Sequence, residues 1–488
     1  MSFNLIHDAW LPVITADGTR VIAPWQMAQP DILRPDWPRA DLNLACLELL
    51  IGLVLLADPP ADVEDWDSGR TPERLKEKLA AYAPAFDLTP EDGPRFLQDL
   101  APLAGEIKPL DMLFIDSAGE KTVDNNADLM VWRDRYPRLG NALAAMALYA
   151  FQAFAPAGGA GNRTSMRGGG PLVTLVQPQG PLWATIWANV PDGQPAPITA
   201  LPWMRATVTS DGGREVFPEQ AHPVEAFFGM PRRLRLVTTG EAITGVIQRP
   251  YGTNYANWDH PLTPSYRQKL TEPWLPKHPR AGLFGYRHWL GTVIADRQDD
   301  QLTRRAATLR RWFERAEGRP ARVLVGGWAM DNMKPRDFVL SAPPLLDLTP
   351  RASELAQGLV LAAEAAGRAL SVALAPVLAA GEAREAQREA FFAETQTAFE
   401  TALRTLAADG AAEVAQGWLA TLRRAALSRF EALALPGLGD RDTKAQREIV
   451  DAHRALRGTF SGYGKFGQAA FDALELPRPA KNPRKEAA

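Results

Sequence analysis

The chain has 488 residues, 46% of them apolar, with 54 Lys and Arg against 57 Asp and Glu and a formal net charge of -3 at neutral pH. That length leaves room for roughly three domains with sizeable cores, and the charge balance excludes a chain that is basic throughout, so any attraction for a polyanion must come from local patches. A single cysteine, Cys46, excludes an internal disulfide and a thiolate metal site.

The opening, MSFNLIHDAW, has no basic segment followed by an apolar stretch, so secretion is not expected and the chain reads as cytoplasmic. Trp10 to Ile14 is strand-like. Leu44 to Ala57, interrupted by Glu48, reads as a buried helix too short to cross a bilayer, with Asp41 as its N-cap. Cys46 sits inside it as a small hydrophobe.

Pro156 to Pro171, PAGGAGNRTSMRGGGP, follows an apolar helix pattern and holds six glycines, two arginines and no acid. So few side chains let a ligand approach the backbone closely, and the arginines favour an anion. The same residues also suit an ordinary turn. The G-x-x-x-x-G-K-[ST] order of a nucleotide P-loop is missing. Leu172 to Gln177 and Leu182 to Val190 then read as a hairpin.

Leu234 to Thr239, Ile243 to Gln248 and Val323 to Gly327 are further strand-like runs. Two segments are densely basic: PRRLRL at Pro231 to Leu236, and Arg304, Arg305, Arg310, Arg311, Arg315, Arg319 and Arg322. In the second, Leu302, Ala306, Leu309, Trp312 and Phe313 can face a core while the arginines face solvent. GGWAMDNMKPRD, Gly326 to Asp337, ends a strand in two glycines and predicts a protruding tip at Asp331, Asn332 and Met333. It is either a surface turn or a wedge, because Met can insert between base steps and Asn can read minor-groove acceptors.

Up to about Ser341 the texture is that of a large α+β domain with long loops, and thirteen of the fourteen tryptophans lie there. After Leu348, alanine, leucine, glutamate and arginine recur at helical spacing. Breaks at Gly381, at Asp409 and Gly410, and at Leu435 to Asp442 predict helices near 350–380, 382–407, 411–433 and 442–472. Such lengths with short connections predict an antiparallel four-helix bundle. From Ala342 onward there are 18 basic and 18 acidic residues. Arg423, Arg424 and Arg429, with Arg447, Arg454 and Arg457, are candidates for cationic faces on this neutral region. The expected organisation is a mixed α/β domain over 1–345, a four-helix bundle over 346–474 and a disordered, proline-rich tail over 475–488.

No catalytic set stands out. The six histidines are scattered, and the adjacent Asp259 and His260 lie in a turn-rich loop where neighbouring side chains usually diverge. The chain is therefore expected not to be an enzyme and to hold no metal or cofactor. Two rivals are a nuclease with an unfamiliar active site and a purely structural interaction protein.

Taken in order, FNLIHDAWLPVITADG at Phe3 to Gly18, the glycine-rich loop, YGTNYANWDHPLTP at Tyr251 to Pro264 and the GGW loop resemble the CasA family. Its members are the large subunits of type I-E Cascade, the RNA-guided DNA surveillance complex of prokaryotic CRISPR immunity. The resemblance covers nearly the whole chain. It implies a non-catalytic subunit that reads the protospacer-adjacent motif (PAM) of duplex DNA from the minor groove. It further implies as partners the crRNA and the other subunits (the 5′-handle-capping, backbone and small subunits), target duplex DNA, and a recruited helicase-nuclease, with no membrane.

Carried over residue by residue, the family's glycine loop falls on Gly158, Gly159, Ala160 and Gly161, with Arg163 and Arg167 behind it for phosphates. The family's glutamine wedge falls on Asn332, flanked by Asp331, Met333 and Lys334, and a one-residue slip would make Met333 the wedge. The family's basic finger falls on Arg249 or Lys269. The crRNA-handle loop, Val123 to Arg133, keeps Asn125 and Asn126 without the aromatic of some members. Arg423, Arg424, Arg454 and Arg457 are candidate displaced-strand contacts. The cysteine zinc knuckle of many relatives has no counterpart.

Overall fold

The computed structural model describes residues 3–126, 128, 131–159, 161–296, 301–408 and 411–478. The chain divides into two compact units, Met1–Gly282 with Gln301–Leu345, and Leu283–Asp300 with Leu346–Ala488. Residues 283–296, expected from the sequence to lie in the first domain, therefore pack with the C-terminal helices.

In the first unit, β1 (Leu11–Thr15), β2 (Gly18–Ile22) and β3 (Ile32–Pro35) form an antiparallel sheet in the order β2-β1-β3. Helix α1 (Ala40–Ala57) starts earlier than its apolar run. Its 18 residues are long and apolar enough to cross a membrane by length and composition, yet almost all are buried inside the protein. Asp41 is not the cap, a position taken by Arg39; instead its carboxylate accepts from Arg39 at 3.0 and 2.9 Å and from the Leu42 N–H at 3.0 Å. Burial pushes the Cys46 thiol up to about 12. Helix α2 (Asn141–Phe154) packs on α1. Beside them Phe86, Phe96, Trp203 and Phe228 form an aromatic cluster with ring centroids 5.3 to 6.2 Å apart.

The expected hairpin after the glycine loop does not form. Val173–Pro178 is a strand, β4, but Leu182–Ala188 is a helix, α3. Asn189, just beyond α3, occupies one edge of β4: its side chain accepts from the Val176 N–H at 2.8 Å and donates to the Val176 carbonyl at 2.6 Å. On its other edge β4 pairs antiparallel with the distant β7 (Ala321–Asp331), Val176 opposite Val323. Between them, β5 (Arg233–Thr239) and β6 (Ala242–Arg249) make a hairpin that Ile107–Lys108 extends. Helix α4 (Ala307–Arg315) carries the arginine run, which is not a plain solvated face. Arg315 is buried on Asp192, Arg311 reaches the same carboxylate at 3.1 Å, and Arg304 pairs with Asp259 at 2.8 Å.

Strand β7 continues past its two glycines to Asp331 and turns into β8 (Lys334–Ser341). In the second unit the helices are α5 (Pro350–Ala373), α6 (Glu382–Ala407), α7 (Ala411–Ala434), α8 (Thr443–Thr459) and α9 (Gly464–Ala473). Thr349 and Asp442 cap α5 and α8 by accepting from the backbone three residues on, at 3.2 and 2.8 Å. The expected fourth helix is broken at Phe460–Tyr463, and all four others pack on α5, so among the described residues the arrangement is five helices with α5 central.

Candidate nucleic-acid interface

The glycine loop leaves α2 and is held from beneath by Arg232, at the entry to β5. The Arg232 Nε–H donates to the Arg163 carbonyl at 2.7 Å, an Nη2–H donates to the Pro156 carbonyl, and the guanidinium lies 5.2 Å from the Phe151 ring centroid. Burial lowers its pKa to about 10, so it stays charged at neutral pH and ties the two ends of the glycine turn together. Within that turn the Asn162 N–H donates to the Gly159 carbonyl at 2.7 Å.

Gly159 and Gly161 have φ of +65° and +78°, the left-handed region that suits glycine. A side chain at Gly159 would meet no protein atom within 4 Å, so its backbone faces open space. Ala160 lies outside the described residues. Gly161 is covered differently, because a Cβ there would come within 2.8 Å of the Tyr251 ring, at both Cδ1 and Cε1.

The two arginines behind the loop separate. Arg163 is half-buried and donates from Nε to the Ser210 hydroxyl at 2.8 Å. Arg167 is only 4% exposed and is ion-paired with Glu48 at 2.7 Å, with Thr263 at 3.2 Å. Its assignment to phosphates is therefore corrected: a guanidinium sealed in the core against α1 is a structural charge. The Glu48 carboxyl is itself raised by burial, against the pull of Arg167.

The second half of the loop meets the β7–β8 hairpin. A side chain at Gly170 would run into the Trp328 carbonyl, and one at Gly169 would stand 2.7 Å from the Pro156 Cα and 3.2 Å from the Met333 sulfur. The two segments singled out separately in the sequence thus lie side by side. The hairpin tip is tighter than the expected loop. Asn332 and Met333, φ +49° and +62°, form a two-residue turn of type I′ character between the paired Asp331 and Lys334. All four are exposed. Asp331 is ion-paired with Arg336 at 2.7 Å and accepts from the Asn332 amide at 3.1 Å. That offsets the acid's repulsion of a nearby phosphate.

Arg249 ends β6, its side chain exposed and with no ion-pair or hydrogen-bond partner among the described residues; the next residue, Pro250, borders Gly161. Lys269 is 76% exposed and 3.7 Å from Glu272. Asn126, φ +49°, accepts from Arg133 at 3.0 Å, and Asn125 is exposed. Trp132 lies within the same loop and is 85% exposed.

In the second unit Arg423 and Arg424 flank a groove of about 330 Å³ floored by Leu419, Leu427 and Phe460. Neither has a polar side-chain partner among the described residues. Arg457 is exposed, Arg454 lies 3.3 Å from Asp451, and Arg429 is held by Glu394 at 2.9 Å. His260 is buried against Phe227, its pKa driven down by burial, while Asp259 turns to Arg304, so the adjacent pair diverges. Among the described residues no three His, Cys, Asp or Glu side chains are grouped to hold a metal.

Sequence reasoning missed Arg232, Tyr251 and Trp132. Arg232 lay in the flagged PRRLRL run, but nothing in that run marked it as the side chain that holds the glycine loop. Tyr251 heads a quoted motif, yet its exposure is a tertiary property.

The family model for CRISPR-associated protein Cse1 matches residues 4–428. Among solved structures, CasA of Thermus thermophilus superposes with a TM-score of 0.72 at 21% identity, covering 94% of this chain and 100% of that one. Cse1 of Thermobifida fusca gives 0.73 at 20% identity, covering 97% and 98%. A chain of a CRISPR RNA-guided surveillance complex gives 0.65 at 14% identity, covering 94% and 99%.

Proposed function

The chain belongs to the Cse1, or CasA, family of CRISPR-associated proteins, and on that premise we propose that it is the non-catalytic, DNA-reading large subunit of a type I-E Cascade complex. In this reading it works in the cytoplasm beside the crRNA and the 5′-handle-capping, backbone and small subunits. It recognises the PAM in duplex DNA from the minor groove, wedges the duplex open to start R-loop formation and recruits the helicase-nuclease.

The observation that carries the reading is the pairing of an open backbone at Gly159 with the exposed Asn332–Met333 tip, joined through Gly169 and Gly170. A backbone without side chains can follow the minor groove closely, and that groove separates A·T from G·C better than A·T from T·A. Several related PAMs should therefore be accepted. Inserting Asn332 or Met333 costs a few kcal/mol per unstacked step. Neutralised phosphates must offset that cost; Arg163 at the loop and Lys334 at the tip supply the neutralising charges, with Arg249 or Lys269 as the basic finger. Asn125 and Asn126 hold the crRNA handle, and Arg423, Arg424, Arg454 and Arg457 contact the displaced strand.

Gly159→Asp tests this, because the protein offers nothing for the new side chain to strike and Asp is among the few residues that enter the left-handed region Gly159 occupies. Assembly should be unchanged while affinity for PAM-containing duplex falls below detection in an electrophoretic shift. Unchanged affinity would remove the glycine loop from the DNA interface.

A further inference from the structure

Tyr251 combines three properties that rarely coincide. Its φ is +63°, a backbone region that tyrosine enters only when its surroundings impose it. It is 44% exposed, and its hydroxyl has no partner among the described residues. One side of its ring lies against Gly161, so close that Gly161 could carry no side chain.

The strained backbone is fixed from both ends. The Tyr251 N–H donates to the Gly161 carbonyl at 2.9 Å, and the Tyr251 carbonyl accepts from the Ser210 N–H at 3.2 Å. Ser210 in turn receives Arg163. At the next residue, Gly252, a side chain would run into the Pro231 carbonyl. Three loops therefore meet at Tyr251, and their joint effect is to hold an aromatic ring outward at the edge of the glycine loop. A ring placed to fill a core would be turned inward and covered; this one keeps nearly half its surface in water at a conformational cost.

We infer that Tyr251 is a stacking shelf for a nucleobase freed from the duplex beside the glycine loop. This rests on the reading of that loop as DNA-facing. The ring is anchored on one side, so it suits receiving an unstacked base better than driving into a closed stack, which the hairpin tip is shaped to do. Base stacking on an aromatic is tolerant of sequence, since every base has a π-face. Tyr251 therefore holds the opened strand and leaves the choice of PAM to other groups.

The test uses the assembled complex with its guide RNA and a duplex carrying 2-aminopurine at the first base pair beside the PAM. Tyr251→Asn keeps a residue that accepts the left-handed backbone, and Tyr251→Phe keeps the ring. Asn should lower the opened fraction by roughly 5- to 150-fold, the effect of losing one base–aromatic stack. Initial duplex affinity and PAM preference should stay unchanged, and Phe should behave like the parent. Normal opening by Tyr251→Asn, or equal loss in Tyr251→Phe, overturns the shelf. Normal duplex binding by Gly159→Asp in the same assay overturns the reading of the loop instead, so the two failures are distinguishable.

Discussion

Removing the charge of Arg167 would leave the Glu48 carboxylate sealed in the core with no cation, and breaking a buried pair on one side costs about 3–5 kcal/mol. Arg167→Met should lose that much in chemical denaturation. Glu48→Leu with Arg167→Met should regain most of it, because no orphan charge remains. DNA affinity in the double variant should equal the parent's, which separates a structural charge from a phosphate contact. At this scale Gly159 and Gly161 were legible, because a left-handed turn of bare backbone is a local signal, whereas Gly158 has no positive φ and is kept bare by Arg232 and Asn162 crowding it. Arg163 and Arg167 were not separable. They sit four residues apart in one loop, and what divides them is a carboxylate on α1 that lies 119 positions away from Arg167. Arg232 was hidden for a related reason, since a basic run signals solvent unless carbonyls of another loop close over one member.

Among the elements, the β7–β8 hairpin carries the proposed wedge, and its two-residue turn decides which substitutions remove a side chain without disturbing it. Alanine is poorly suited to φ near +50° or +60°, whereas glycine accepts it, so Asn332→Gly and Met333→Gly remove the side chain without opening the turn. Each should slow strand opening roughly tenfold or more, given a few kcal/mol per unstacked step, with initial duplex binding changed far less. Permanganate reactivity of thymines beside the PAM reads the opening, and normal reactivity in both variants would remove the tip from that step. The tip was legible in sequence as Asp331 to Lys334. Its partner was not, because the contact depends on Gly169 and Gly170 fitting under Trp328 and Met333. The strand β4 shows the same limit. Its apolar run was recognised, but the choice between a local hairpin and β7 was made by Asn189, whose amide closes the near edge.

Over the whole molecule, the segment 283–296 belongs to the helical unit although it lies within the span of the first. Tyr286 stacks on Phe399 at 4.3 Å, meets Trp418 edge-on at 5.7 Å and shares a 2.8 Å hydrogen bond with Thr395, while Arg287 pairs with Glu364 at 3.1 Å. Tyr286→Ala in the full chain should destabilise the helical unit by about 3–5 kcal/mol, the usual cost of emptying a large aromatic site. Limited proteolysis should then cut faster within 346–478 and not within 3–282; equal acceleration in both would refute the assignment. The sequence by itself determined the family, the buried apolar helix α1 and the C-terminal helices, save that α5 stops at Ala373 rather than near 380 and that the last helix is broken. Those signals are local, resting on spacing over three or four residues and on caps such as Thr349 and Asp442. Only the tertiary structure decided that residues 283–296 join the helices, that Arg167 is a core charge, and that the hairpin tip and Tyr251 each adjoin the glycine loop. Each of those depends on groups brought together from distant parts of the chain, where burial, charge compensation and backbone clearance act and one-dimensional spacing says nothing.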